Sequence, residues 1–189
     1  VALGTVCDVM KLQELNRAFV AQGLKVMGKR QNLGLTILSD IAGLSESLAA
    51  YHLGFILGPR INAGGRIGVS DLGVKLLTTD SAPHAQMIAQ QLDNLNKERQ
   101  EMELKMLQDA LEMAELCADE VGPLIVASHN WHPGIIGIVA SRLKDRFHKP
   151  TIVIALDKGL GKGSGRSVHG FEMGKHIIAA KQAGIIIEG

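Results

Sequence analysis

Two glycine-framed segments ending in basic groups carry the chemistry legible in this chain. They are Gly58-Pro59-Arg60-Ile61-Asn62-Ala63-Gly64-Gly65-Arg66 and Gly161-Lys162-Gly163-Ser164-Gly165-Arg166-Ser167. Glycine reaches positive φ cheaply and lets another molecule approach the backbone. Successive N–H groups exposed in such turns form an anion-binding concavity, and arginine matches phosphate oxygens two at a time. Two such devices in one chain point to a ligand with more than one phosphate, and a nucleic-acid strand is the obvious candidate. The second segment lacks the G-x-x-x-x-G-K-[ST] order and runs into Val168-His169-Gly170, which argues against a mononucleotide P-loop. A glycine hairpin without a ligand is the bland alternative for it; Lys162, Ser164, Arg166 and Ser167 together favour binding.

A third stretch, His129-Asn130-Trp131-His132-Pro133-Gly134, falls where a buried strand ends and a helix begins. Open α/β folds place their ligand sites in such loops. His129 and His132 have ligand-like spacing, but no third or fourth partner is near, so zinc is weakly supported. A hydrogen bond from His132 to substrate is the sharper reading; a helix-start histidine without function is the plainer one. Asp8, a lone carboxylate among apolar neighbours, is either a cation ligand or a helix cap.

These groups sit in a chain of 189 residues that is 46% hydrophobic and only 3% aromatic. The interior is therefore aliphatic, and serial base stacking along a strand lacks its aromatic platforms. Backbone contact is expected instead. Net charge is only +1, yet residues 93–120 hold nine acids and three bases, and residues 121–189 nine bases and four acids. An acidic connector between mildly basic modules suits a phosphate-rich ligand, and it is equally compatible with a solvated helix face. Cys7 and Cys117 form no C-x-x-C pair and read as buried thiols of a reducing compartment. No apolar run reaches the roughly 18 residues of a membrane span. The start at Val1, inside an apolar run, suggests a piece of a longer protein.

The elements that must position these residues follow from periodicity. Residues 1–81 read as short helices joined by glycine turns, one carrying Leu15, Phe19, Val20, Leu24 and Met27, the next Ile37, Leu38 and Ile41 and ending near Gly43. Ser45 is a plausible N-cap for a restart, and Ser70-Asp71 precede another helix. Residues 82–118 lack glycine, and their only proline, Pro83, is near the start; Ile88, Leu92, Leu95, Met102 and Met106 form one apolar line. This is one long helix joining two domains, with a dimerising coiled coil as the less favoured reading. From Pro123 onward Leu124–Ala127 and Thr151–Leu156 read as buried strands, Gly134–Phe147 and Phe171–Ala183 as helices, and Ile185-Ile186-Ile187 as the start of a third strand. The expected fold is α/β: a helical remainder over 1–81, a long connecting helix over 82–120, and a small α/β domain over 121–189 that is cut short.

Leu3-Gly4-Thr5-Val6-Cys7-Asp8-Val9, Leu53-Gly54-Phe55 through Arg66, Asn96 with Arg99-Gln100-Glu103, Trp131 through Leu143, and Gly163-Ser164-Gly165-Arg166-Ser167 form an ordered set. In order and spacing the chain resembles the RecJ single-stranded-DNA-specific exonucleases, within the DHH/DHHA1 phosphoesterase superfamily. The resemblance implies a manganese- or magnesium-dependent hydrolase with two metals, removing nucleotides from the 5′ end of single-stranded DNA in bacterial repair and recombination, hence in the cytoplasm. It places Asp8 on a metal ligand, with most other ligands upstream of Val1. It implies a DHHA1-type second domain in which Ser164 and Arg166 grip phosphate, His132 lines the cleft, and Arg60, Asn62 and Arg66 face the same groove. Cys7 and Gly64 stand where alanine is usual, Met10-Lys11 replaces Val-Pro, and a glycine-run-histidine motif is expected just after Gly189.

On this reading the chain is the linker and substrate-binding part of such an exonuclease, bound to 5′-phosphorylated single strands and inactive alone, since one carboxylate cannot hold a metal pair. Two rivals are a superfamily phosphodiesterase acting on short oligoribonucleotides or cyclic dinucleotides, and a non-catalytic nucleic-acid-binding module. No membrane association is expected, and repair-protein partners are not specified by the sequence.

Overall fold

A computed structural model describes residues 1–117 and 121–188. The chain separates into two compact units, Val1–Arg99 and Gln100–Gly189. The expected connector, 82–120, is realised as a helix over Ala82–Leu116, and residues 118–120 lie outside the described residues.

The first unit is helical. Helices α1 (Ala2–Cys7), α2 (Glu14–Gly28) and α3 (Leu33–Ile41) are followed by a short α4 (Ala50–His52), a π-helical turn at Leu53–Leu57, α5 (Gly58–Ile67), α6 (Leu72–Thr78) and α7 (Ala82–Leu116). Leu38, Leu53, Leu57, Leu72, Leu76, Ile88 and Leu92 make its core. Asn32 caps α3 by accepting from Leu35 N at 2.9 Å and ties it to α6 by donating to Leu77 O at 3.0 Å. Gly34 is buried in the first turn of α3 and does not terminate α2: a Cβ there would stand 1.9 Å from Leu76 O. Gly43 does end the α3 segment with φ 73°, but no helix restarts at Ser45, and the next begins at Ala50. Along α2, Val20 is buried whereas Leu15 and Phe19, expected in its apolar line, are exposed.

The first arginine-bearing segment, expected as a turn, is the helix α5. Gly58 and Gly64 serve close packing rather than positive φ, while Gly65 faces open space. A Cβ on Gly58 would stand 2.4 Å from Cys7 Sγ and 2.7 Å from Leu53 O. Pro59 falls in the first turn, where its missing N–H costs nothing.

The second unit contains β1 (Leu124–Ser128), α8 (Ile136–Phe147), β2 (Thr151–Asp157), β3 (Leu160–Arg166) and α9 (Met173–Gln182), besides the end of α7. The sheet order is β1-β2-β3, with β1 and β2 parallel and joined through α8, and β2 and β3 antiparallel. Thr151, Val153 and Ala155 are buried, as are Val139, Ala140 and Leu143 of α8, the helix that packs on β2 and β3.

Two expectations change here. The third strand is not Ile185–Ile187, which stays outside the sheet with Ile185 and Ile187 exposed. It is the second glycine segment itself, Leu160–Arg166, and the turn lies before it, at Lys158 (φ 46°) and Gly159 (φ 83°). Glycine is a poor strand former, yet here Gly161, Gly163 and Gly165 pair with Leu156, Ile154 and Ile152 and share one face. That face is tight at Gly161, where a Cβ would stand 3.0 Å from Ile154 Cγ2, whereas at Gly165 it would make ordinary contact with Met173 Cγ at 3.4 Å.

Candidate nucleic-acid interface

Register decides where the polar residues of β3 point. Lys162, Ser164 and Arg166 pair with Ala155, Val153 and Thr151, the buried residues of β2, and directly opposed residues share a face. Ser164 and Arg166 are thereby carried to the start of α8. Arg166 donates from Nε to Ser141 Oγ at 2.9 Å and from Nη1 to Ser164 Oγ at 3.3 Å and Gly165 O at 2.8 Å. Ser141 in turn donates to Gly137 O at 3.1 Å. The approach requires glycine at 137: a Cβ there would stand 2.9 Å from Arg166 Nη2 and 3.1 Å from Ser164 Oγ.

This arrangement is electropositive by construction. The start of α8 has no side-chain cap and no acidic residue in its first turn, so its leading N–H groups present the positive end of the helix dipole. The Arg166 guanidinium lies on that same turn and is exposed, without a carboxylate partner among the described residues. A cation and a helix N-terminus repel each other unless an anion joins them, and phosphate has the oxygens to bond both.

His132 lies in the loop feeding α8. Its Nδ1 accepts from Gly134 N at 3.1 Å, so the neutral ring carries its proton on Nε2 and can donate from there. Trp131 is only 4% exposed, and its Nε1 has no partner among the described residues. His129 is exposed.

In the first unit α5 divides its three polar residues. Asn62 and Arg66 are four apart, share a face and are exposed. Arg60 sits about 160° and 120° around the axis from them. It is turned inward, donating from Nε to Asp93 Oδ1 at 2.8 Å and from Nη1 to Ile56 O at 2.8 Å. Asp93, with a side chain 4% exposed, also meets Lys97 Nζ at 2.8 Å. Burial pushes the Asp93 carboxyl up, but the hydrogen bonds and charges of Lys97 and Arg60 outweigh it and hold it below the ordinary carboxylate range. The sequence offers no local signal for Asp93, since Arg60 is 33 positions away. Ser141 was within reach of sequence reasoning, lying in the Trp131–Leu143 stretch, but its role depends on the strand that crosses it.

Asp8 is the exposed C-cap of α1. Among the described residues no group of three or more His, Cys, Asp or Glu side chains could hold a metal ion. A lone exposed carboxylate does not by itself make a two-metal centre. Cys7, beside Asp8, has its thiol pushed up by burial and then by the Asp8 charge.

Residues 121–184 match the DHHA1 domain family. Over 175 residues the chain is 41% identical to the single-stranded-DNA-specific exonuclease RecJ of Bacillus subtilis, covering 91% of this chain and 22% of that protein. Over 180 residues it is 42% identical to the protein of that name from Escherichia coli, covering 92% and 31%. The chain is RecJ-like along nearly all of its length. The crystal structure of RecJ in complex with Mn²⁺ from Thermus thermophilus superposes with a TM-score of 0.82 at 32% identity, covering 97% of this chain and 26% of that one. A structure of exonuclease RecJ bound to manganese gives 0.81 at 32% identity, covering 96% and 45%. The RecJ-like chain thus spans between 22% and 45% of the length of these relatives. Its α/β class, with a long helix and a small three-stranded sheet, agrees with them. No helix among the described residues is long and apolar enough to cross a membrane.

Proposed function

We propose that this chain is the strand-holding part of a RecJ-like exonuclease, one that cleaves phosphodiester bonds of single-stranded DNA from the 5′ end with manganese or magnesium, in bacterial DNA repair and recombination. The observation that carries this reading is the cluster of Ser141, Ser164 and Arg166 on the uncapped start of α8. Its donors and charge suit a phosphate, and it lies within the residues that match the DHHA1 domain family, in a chain similar to exonucleases. Arg166 grips a backbone phosphate, Ser164 and the leading N–H groups of α8 donate to its remaining oxygens, and His132 Nε2 donates nearby. Asn62 and Arg66 supply a further backbone contact from α5. Arg60, proposed from sequence as a contact of its own, acts through position: its pair with Asp93 locks α5 onto α7. In the full-length protein Asp8 would supply one carboxylate to the metal pair, alongside ligands outside this chain.

The test measures affinity of the 189-residue chain for a 5′-phosphorylated single strand across a salt series. Arg166→Ala is expected to weaken binding and reduce the salt slope by about one ion. An unchanged slope refutes phosphate contact at Arg166. The same chain is expected to release no nucleotides when manganese is added, and release would refute the assignment of the metal ligands elsewhere.

A further inference from the structure

We infer that Tyr51 and Phe55 form a stacking platform for one or two bases of a single strand. Resting on the strand-holding function proposed above, this inference assigns it a second mode of contact. Only six aromatic residues occur in the chain, one Trp, one Tyr and four Phe. Two of them stand in solvent side by side: Tyr51 is 62% and Phe55 71% exposed, their ring centroids are 5.1 Å apart, and the rings are inclined by 27°. A fully buried aromatic side chain removes about 150–250 Å² from water, and well over half of each of these is still uncovered. Leaving both uncovered is unfavourable unless something flat covers them.

The pair is built to stay in place. Tyr51 meets the ring of His52 edge-on, at 5.8 Å between centroids and 75° between planes. His52 is itself buried and held at both nitrogens, Nδ1 accepting from Ala49 N at 3.0 Å and Nε2 lying 3.3 Å from Glu46 Oε1. Phe55 stands on the π-helical turn Leu53–Leu57, a rare element that recurs at functional sites. The helix that follows this turn, α5, carries the exposed Asn62 and Arg66, an amide and a cation.

Two exposed rings held in this way offer a flat apolar surface, and an unpaired base of the single strand proposed above is a flat partner of the right size. A base stacks whatever its sequence, and the arginine meets the adjoining phosphate. The 3% aromatic content rules out a long ladder of stacked bases but not a local pair. The proposal is thus a grip on unpaired bases that a duplex, with its bases already stacked, could not use.

The experiment compares a short 5′-phosphorylated oligothymidylate with the same backbone carrying abasic sites, using fluorescence anisotropy on the 189-residue chain. The unmodified chain is expected to prefer the base-bearing strand by about ten-fold, from about 1–3 kcal/mol per stacked base. Phe55→Ala and Tyr51→Ala are expected to bind both strands equally, at the abasic level, and Phe55→Trp to keep the preference. Circular dichroism checks folding; if Phe55→Ala does not fold, Tyr51→Ala and Phe55→Trp decide. Retention of the full preference in Tyr51→Ala overturns the platform, as does concentration-dependent dimerisation that Tyr51→Ala abolishes. If the aromatic variants bind normally while Arg166→Ala does not, the platform alone fails. If the unmodified chain binds neither strand, the proposed function fails and the platform with it.

Discussion

Gly137→Ala is the smallest change that should separate folding from strand binding. A single Cβ at this position would enter the space of Arg166 Nη2 at 2.9 Å and Ser164 Oγ at 3.1 Å. Both are ends of side chains, so the guanidinium can move aside without shifting backbone. The stability terms nearly cancel. Alanine gains up to about 1 kcal/mol over glycine in a helix, while the displaced Arg166 loses its bond to Ser141, worth about 0.5–1.5 kcal/mol and partly replaced by water. Binding has no such compensation. An arginine moved off the start of α8 can no longer share a phosphate with the leading N–H groups, which forfeits a charged hydrogen bond of about 1.5–3 kcal/mol. At about 1.4 kcal/mol per decade, the expected loss is roughly ten- to hundred-fold in affinity for a 5′-phosphorylated single strand. Anisotropy titration and thermal melting of the same preparation measure the two effects together. Arg166→Lys is the companion variant: it keeps the charge and loses the fork, so it should fall between. Affinity within two-fold of the parent in Gly137→Ala, with an unchanged melt, would refute the reasoning.

Two further outcomes concern the scaffold. Asp93→Ala should lower stability by about 3 kcal/mol, because it strands Arg60, whose side chain is 17% exposed, without its carboxylate; urea titration at neutral pH measures this, and a loss under about 1 kcal/mol would show that the pair is idle. Since the Asp93 carboxyl is held below its ordinary range, its contribution is fully present above the unfolded pKa of about 4 and disappears as pH falls through the lower folded value. Asp93→Asn should therefore flatten the acid limb of the stability curve, and a limb of unchanged slope counts against the pairing. Gly34→Ala places a Cβ 1.9 Å from Leu76 O, a backbone atom that cannot step aside, so about 1–3 kcal/mol should be lost by moving α3 off α6. An unchanged melting temperature for that variant would mean the two helices are not in contact as described.

Much of the chain was determined locally and could be read from the sequence alone. The long helix, β1, α8 and β2 declare themselves through apolar period and the placing of glycine and proline, because those signals act within a few residues. The ordered motifs from Leu3 to Ser167 likewise identify a RecJ-like chain without coordinates. Tertiary structure alone decided the rest. Both glycine segments read as turns, yet Gly58–Ile67 is a helix and Leu160–Arg166 a strand. In the first of them Gly58 answers to a neighbour far along the chain, Cys7, whose Sγ would stand 2.4 Å from a Cβ there. Of the three residues expected to act together in the first segment, helical geometry turned Arg60 inward to Asp93 and left Asn62 and Arg66 outside. The meeting of Arg166 with Ser141 and Gly137 depends on strand register. The exposure of Tyr51 and Phe55 depends on which helix faces the core took. Periodicity records which residues share an element, whereas a site is made by residues that only packing brings together.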